Sequence, residues 1–455
     1  MSNSVPPKEM GQRRSRQLLP FDFCAVPFDF PLGLLPNSFR LQRAAFWPVI
    51  SAQSQTIQSG SLRRQRCFLP SAFCLLSAAF CLLLTTNCFA QEPYAAIDPA
   101  AVKYNGTGRD LGHDLTGPEI RVGLLAPLTG SRQGEGEALR RAAEMAIEEE
   151  NAASSHGRPH LALVARDESG PWGRVSGEIV HMVFDDRDVA LITSSDGASA
   201  HLAEQVANKI GVPVLTLASD ATTTEINLPW IFRMGPADAP QAQLIARDIY
   251  QNRKLSRVLL IIQNDHDGRV GGEGFEKAAR AMKAPEVMQV TVDPDQPTAA
   301  PIPTGIEGVQ AVVFWTDAAT AHLLAPRLRQ GLPSGPIYLC SKAAQFAVSN
   351  NAPVWPGGSD GAGIWTAGSA GVNSPAQSDF TARYRQRFGE EPSLDAARVY
   401  DAVHLLATSL RQSGANRARL RDALAGTASR AGASGRISFD HAGNDTAPVA
   451  LQRLP

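Results

Sequence analysis

A chain of 455 residues, 44% hydrophobic and 19% charged, is long enough for two or three compact units and has the composition of a soluble globular protein. Its formal net charge of −1 hides two unlike regions, because residues 1–90 hold 9 Lys+Arg against 3 Asp+Glu, leaving 34 basic and 41 acidic residues beyond them. That acidic remainder lacks the basic footprint of a nucleic-acid binder, so nucleic acid is not an expected partner.

Residues 1–62, with the near-repeat PFDFCAVPFDFP and a patternless Pro/Phe-rich tract, read as a non-native or disordered extension, and the natural start is expected near Leu62. Residues 63–90, RRQRCFLPSAFCLLSAAFCLLLTTNCFA, carry arginines, an apolar run and a small-residue ending. This is the layout of a signal peptide cleaved after Ala90, which predicts a periplasmic or otherwise exported protein with no direct membrane span after cleavage. An uncleaved anchor is the competing reading, since the apolar run approaches the ~18–20 residues a span needs; Pro70 argues against it. Residues 91–118 read as a linker. Five of the six cysteines precede residue 91, so the mature part keeps only Cys340, which reads as a small buried hydrophobe.

From residue 119 the chain alternates. The run around Ile120, Val122, Leu124 and Leu125 predicts a buried strand broken at Pro127 and Gly130. From Glu137 onward, Leu139, Ala142, Ala143, Ala146 and Ile147 recur at helical spacing. HLALVARDES, VALITSS and VPVLTLASD predict further strands, with helices between them. The helix after VALITSS is expected to be capped by Asp196 or Ser199 and closed by Gly211. Alternation of this kind predicts a parallel sheet covered on both faces. Past a Gly-Pro break near Met234–Pro240 the grammar repeats: RVLLIIQND, EVMQVTVD, AVVFWTD and GPIYLCSK are strands, again with helices between. IWTAGS, two more helices and a last strand and turn at GRISFDHAGND follow. Two α/β halves imply a cleft lined by the loops after their strands.

Catalytic and phosphate-binding signatures such as H-E-x-x-H, a Walker loop or paired C-x-x-C do not occur. GRVGGEG follows a strand but lacks the G-x-G-x-x-G spacing. Asp265-His266-Asp267 reads as a solvated turn more readily than as a cation site. No cofactor, metal or catalytic residue is predicted.

The order IRVGLLAPLTG, SSDGASAHLAEQVANKIGVPVLTLASDATTTE, PWIFRMGPAD, RVLLIIQND with GGEGFEKAARAM, and YDAVHLLATSL resembles the periplasmic substrate-binding proteins of branched-chain-amino-acid-type ABC transporters, the Leu/Ile/Val-binding-protein-like family. The resemblance covers about the last three quarters of the chain. It implies an α/β fold of two Rossmann-like lobes with parallel central sheets, joined by three crossings, closing on a ligand as a Venus flytrap. The lobes are expected at 119–236 plus 366–436 and at 237–365 plus 437–455. The resemblance further implies a small-molecule ligand, an ABC transporter membrane permease as partner, and ligand contacts from Glu135, Ser195, Asp196, Gly197, Ala198, Ser199, Ala218, Ser219, Asp220, Gly271, Asp317, Ala318 and Lys342. Glu135, Gly271 and Ala318 stand where amino-acid binders often place aromatic residues, and Lys342 stands at the acidic position of the second lobe. Asp220 reads either as a replacement ammonium partner or as a turn aspartate, and Lys342 as a cleft lysine suited to an anionic or carbonyl-bearing ligand or as a solvated one.

The expected function is that of an exported, non-catalytic protein capturing a small polar ligand, an amino acid, amide or carboxylate, for ABC-type uptake. Three readings compete with it. One is a ligand-sensing module for a signalling partner, and another a cleft hydrolase using Ser199 or Cys340 with His201 or His266. The third is a copy that has lost ligand binding.

Overall fold

The computed structural model describes residues 115–454 apart from 155–158, 226–228, 286, 300–307, 332–334, 346–362 and 370–373. The expected extension, signal peptide and nearly all of the linker lie outside the described residues. Among the described residues no helix is long and apolar enough to cross a membrane.

The first sheet has five parallel strands in the order β2-β1-β3-β4-β5: β1 Glu119–Ala126, β2 His160–Asp167, β3 Ala190–Thr193, β4 Val214–Thr216 and β5 Ile231–Arg233. Between them run α1 (Gln133–Ala153), α2 (Trp172–Phe184) and α3 (Gly197–Ile210). One face of the sheet packs Val122, Leu124 and Ile192 against Leu139, Ala142 and Ala146 of α1. The other packs Leu125 and Leu191 against Ile179 and Met182 of α2 and Ala203 of α3. Burial on both faces is why these strands are nearly continuous apolar runs rather than alternating ones. Helix α3 is bounded as its sequence predicts. The Asp196 side chain accepts the Ser199 N–H at 2.7 Å, and Gly211 closes the helix in the left-handed conformation at φ 74°.

The second sheet runs β13-β10-β9-β8-β6-β7, with β6 Val258–Gln263, β7 Met288–Val292, β8 Ala311–Trp315, β9 Ile337–Leu339, β10 Ile364–Ser369 and β13 Val449–Arg453. All pairings are parallel except β10 with β13. Helices α4 (Asp238–Ala246, continued as a wide turn through Asn252), α5 (His266–Ala281) and α6 (Ala318–Gly331) accompany this sheet. Helices α7 (Pro375–Phe388), α8 (Leu394–Ser413) and α9 (Arg417–Ala425) return to the first lobe, where Phe380, Val399, Val403, Leu406 and Leu420 join the core of β1 and α1. A hairpin of β11 (Arg430–Gly432) and β12 (Gly435–Ile437) follows them.

The chain therefore crosses between lobes after Met234, after Ser369 and ahead of Val449. The expected boundary at 365/366 falls inside β10, a strand of the second sheet, so the return to the first lobe comes after Ser369. The boundary at 436/437 is likewise early, because Ile437 and Phe439 pack in the first lobe's core and only β13 belongs to the second sheet.

Strand order reverses between β1 and β3 in the first sheet and between β6 and β8 in the second. Open α/β sheets bind ligands outside the carboxyl ends of their strands at such points. The loops there carry Arg132 and Asp196 in one lobe, Asp267 and Asp317 in the other.

Candidate functional site

The loop after β1 delivers Arg132 to the start of α1, where its guanidinium holds Glu135 through two parallel bonds of 3.0 and 2.7 Å. Its remaining nitrogen reaches Asp196 at 3.4 Å and Glu168 at 3.9 Å. The Ser195 hydroxyl donates to Glu135 at 3.3 Å, and that of Ser194 to Glu168 at 2.5 Å. Burial opposes the Asp196 charge, yet Lys342, Arg132 and Ser199 together hold its carboxyl below the usual range. Glu168 has no such balance: burial and the charge of Asp196 push it up to about 8 against the pull of Arg132, and its Oε2 has no hydrogen-bond partner. Arg132, Glu168, Asp196, Ser199 and the exposed Trp172 line a pocket of about 380 Å³ on the first lobe.

The two lobes touch at the first turn of α3. Gly197 N–H donates to the Asp267 carboxylate at 3.0 and 3.3 Å, and the Lys342 ammonium donates to the same carboxylate. A Cβ on Gly197 would stand 2.2 Å from Asp267 Oδ1, so only glycine admits the carboxylate this close. Burial works against the Lys342 ammonium, but Asp267, Asp196 and Asp265 outweigh it and raise its pKa. Burial pushes the Asp267 carboxyl up, against the pull of Lys342. Between Asp265, Asp267, Trp315, Cys340 and Lys342 a cavity of only about 10 Å³ remains, room for about one water.

A second contact between the lobes lies beside it. Asp220, fully buried after β4, receives His201 Nε2 from α3 at 2.9 Å and His266 Nε2 from α5 at 2.7 Å on one oxygen, Oδ2. Thr222 N–H donates to Oδ1 at 2.9 Å. These three side chains are the group among the described residues whose ligand atoms, all within 4.8 Å of one another, have the chemistry to hold a metal ion.

The expected ligand residues thus separate. Gly197 and Lys342 meet on Asp267, Glu135 bonds Arg132 and Ser195, Asp196 accepts the Ser199 N–H, and Ala198 is exposed on α3. Asp220 is occupied by two histidines and a threonine, which leaves it unsuited to a ligand ammonium. Ala218 is buried, with its N–H on Thr216 Oγ1, while the Ser219 carbonyl accepts the N–H of Asp238 at the first crossing. Asp317 caps α6 through Thr320 N–H at 2.7 Å and is clamped by Gln263, and Ala318 opens the helix behind it. Gly271 serves Trp315, because a Cβ there would sit 1.7 Å from the indole Nε1, which donates to Asp238 at 3.1 Å. Trp315, at the end of β8, is thus packed into the second lobe's core where Gly271 leaves room for it. Gly271→Ala is expected to cost about 1–3 kcal/mol of stability in urea unfolding; an unchanged midpoint would mean that Trp315 swings aside.

Sequence reasoning passed over Arg132, Glu168, Asp267 and Trp315 as individual site residues. Among the described residues no hydrogen bond joins Ser199 or Cys340 to His201 or His266; both histidines face Asp220, and burial pushes the Cys340 thiol up to about 12.

A family model described as "Periplasmic binding protein" matches residues 119–453. The Leu/Ile/Val-binding protein BraC3 of Rhizobium johnstonii is 24% identical over 267 residues, 57% of this chain and 71% of that protein. The leucine binding protein LivK of Thermotoga maritima superposes with a TM-score of 0.62 at 19% identity, covering 74% of this chain and 95% of that one. A solute binding protein of an ABC transporter from Rhodopseudomonas palustris, in complex with 3,4-dihydroxy benzoic acid, gives 0.62 at 18% identity, with 74% and 93% covered.

Proposed function

We propose that this chain, which belongs to the periplasmic binding protein family, captures a small carboxylate-bearing solute between its lobes. It is exported, delivers that solute to the membrane permease of an ABC transporter, and performs no catalysis. The observation that carries this reading is the Asp267 carboxylate, seated on Gly197 N–H at the start of α3 with the Lys342 ammonium against it. A helix amino terminus and a buried ammonium are together a carboxylate site. A solute carboxylate entering there takes over the two donors as Asp267 swings out. The two ligands named for the similar structures, leucine and dihydroxybenzoic acid, both carry a carboxylate.

Calorimetric titration of the full chain with leucine and benzoate, beside leucinamide and benzamide, tests the reading. The acids are expected to bind and the amides to bind at least ~10-fold more weakly, since a hydrogen bond to a charged group contributes about 1.5–3 kcal/mol. Asp267→Asn removes the internal competitor and is expected to tighten binding of the acid about tenfold. Equal binding of acids and amides, or Asp267→Asn binding more weakly than wild type, would sink it.

A further inference from the structure

We infer that His201, Asp220 and His266 form a site for one divalent transition-metal ion of the zinc type, shared between the two lobes. His201 on α3 and Asp220 after β4 belong to the first lobe, while His266 opens α5 of the second. Both imidazole Nε2 atoms converge on Asp220 Oδ2, at 2.9 and 2.7 Å. Zinc bonds to nitrogen and oxygen of about 2.0–2.2 Å place tetrahedral ligand atoms about 3.3 Å apart, so the trio must open by roughly half an ångström to admit the ion.

The surroundings are those of a ligand set rather than of a chance cluster. His201 Nδ1 is engaged by Glu204 Oε2 at 2.9 Å, and Glu204 is buried. A carboxylate on the far nitrogen fixes the ring and makes the facing nitrogen a better donor to a metal. Asp220 Oδ1 is held by Thr222 N–H at 2.9 Å, and the Thr222 hydroxyl lies 2.8 Å from Oδ1 and 2.9 Å from Oδ2, so an ion at Oδ2 displaces only the hydroxyl bond there while Oδ1 keeps its backbone donor. Two imidazoles and one carboxylate suit zinc, cobalt or nickel and are a poor set for magnesium or calcium, which take oxygen. The histidine rings are 27% and 35% exposed, which gives an ion a way in and a solvent-side fourth position. Any proton on the two Nε2 atoms leaves to solvent as the ion binds.

Because one ligand comes from the opposite lobe, the three-ligand site exists only with the lobes together. The ion therefore favours closure by its extra affinity for the closed form, and any solute that also favours closure strengthens metal binding in return. This site stands or falls independently of the solute's chemistry.

The test is titration of the chelator-stripped full chain with ZnCl₂ by calorimetry, and with CoCl₂ by visible absorption. Wild type is expected to bind one ion per chain, with a higher melting temperature and the intense visible bands of four-coordinate cobalt, and MgCl₂ is expected to do nothing. His266→Ala and His266→Gln, which change a residue at the helix start, should each abolish binding at equimolar metal, as should His201→Ala. Glu204→Gln should weaken binding about 10–100-fold. His181→Ala, at an exposed His–Asp pair elsewhere on the first lobe, should change nothing. Zinc bound undiminished by both His266 variants, or lost on His181→Ala, overturns the shared site. So does a wild type that binds no equimolar metal, which would leave the trio a hydrogen-bonded clasp.

Discussion

Lys342→Met is expected to abolish capture of carboxylate solutes and to lower the unfolding free energy by about 3–5 kcal/mol, the usual cost of removing one partner from a buried ion pair. The ammonium faces Asp267 directly, with Asp196 and Asp265 near enough to add to its charge field. Without it, Asp267 keeps only the Gly197 N–H for a buried carboxylate. Urea unfolding of the variant reads the stability, and titration with benzoate reads the capture. The double variant Lys342→Met/Asp267→Leu separates the two effects, because an apolar pair of similar volume should restore most of the stability and none of the binding. A single variant that unfolds at the wild-type midpoint would show that the pair is solvated and that the lobes do not rest on it.

Glu168 gives the second large effect, and it depends on pH. Its ordinary carboxyl value is 4.5, and burial together with Asp196 pushes it up to about 8 against Arg132 and the Ser194 hydroxyl, with Glu135 adding to the rise. Between those values the folded chain binds more protons here than the unfolded one, so stability is complete below about pH 4.5 and falls as pH rises towards 8. The total loss is on the order of a few kcal/mol. Glu168→Gln keeps an acceptor for Ser194 and does not titrate. It is expected to be more stable than wild type at pH 9, with the gap closing by pH 5, measured by urea unfolding at both. Asp188 is also pushed up to about 8, chiefly by burial, and both of its oxygens lack hydrogen-bond partners. It acts with the same sign in both proteins and cancels in the difference. A gap independent of pH would mean that Arg132 keeps Glu168 ionised.

Much of the fold was legible because its signals are local. The apolar runs of β1, β3, β6 and β8, the Asp196 cap and the Gly211 stop can all be read within a few residues of one another. Strand β13 was not, since VALQR is short and its pairing partner, β10, lies more than 80 residues earlier. The crossing after Ser369 was misplaced for the same reason, as IWTAGS fits either sheet until its neighbour β9 is known. The candidate site was legible as loops and hardly as chemistry. Asp267 follows a histidine at a helix start and reads as a solvated turn, and only the meeting of the lobes sets it against Gly197. Gly271 suggested a missing aromatic, whereas its bareness is what lets Trp315 in. His201, Asp220 and His266 are spread over more than 60 residues and two lobes, and nothing in their spacing announces a common point.

The return of α7, α8 and α9 to the first lobe has a consequence in time. All five strands of the first sheet have been made once Arg233 is added, but the helices that complete that lobe's core end at Ala425, roughly 190 residues later. At 5–20 residues per second, synthesis takes roughly 10–40 s to cover that distance. Until α8 is made, the face of β1 and α1 destined for Val399, Val403 and Leu406 has no cover, and the second sheet waits longer still for the edge strand that ends at Arg453. The first lobe's core therefore stays incomplete, and open to chaperones, while strands β6 to β10 of the second lobe are being made.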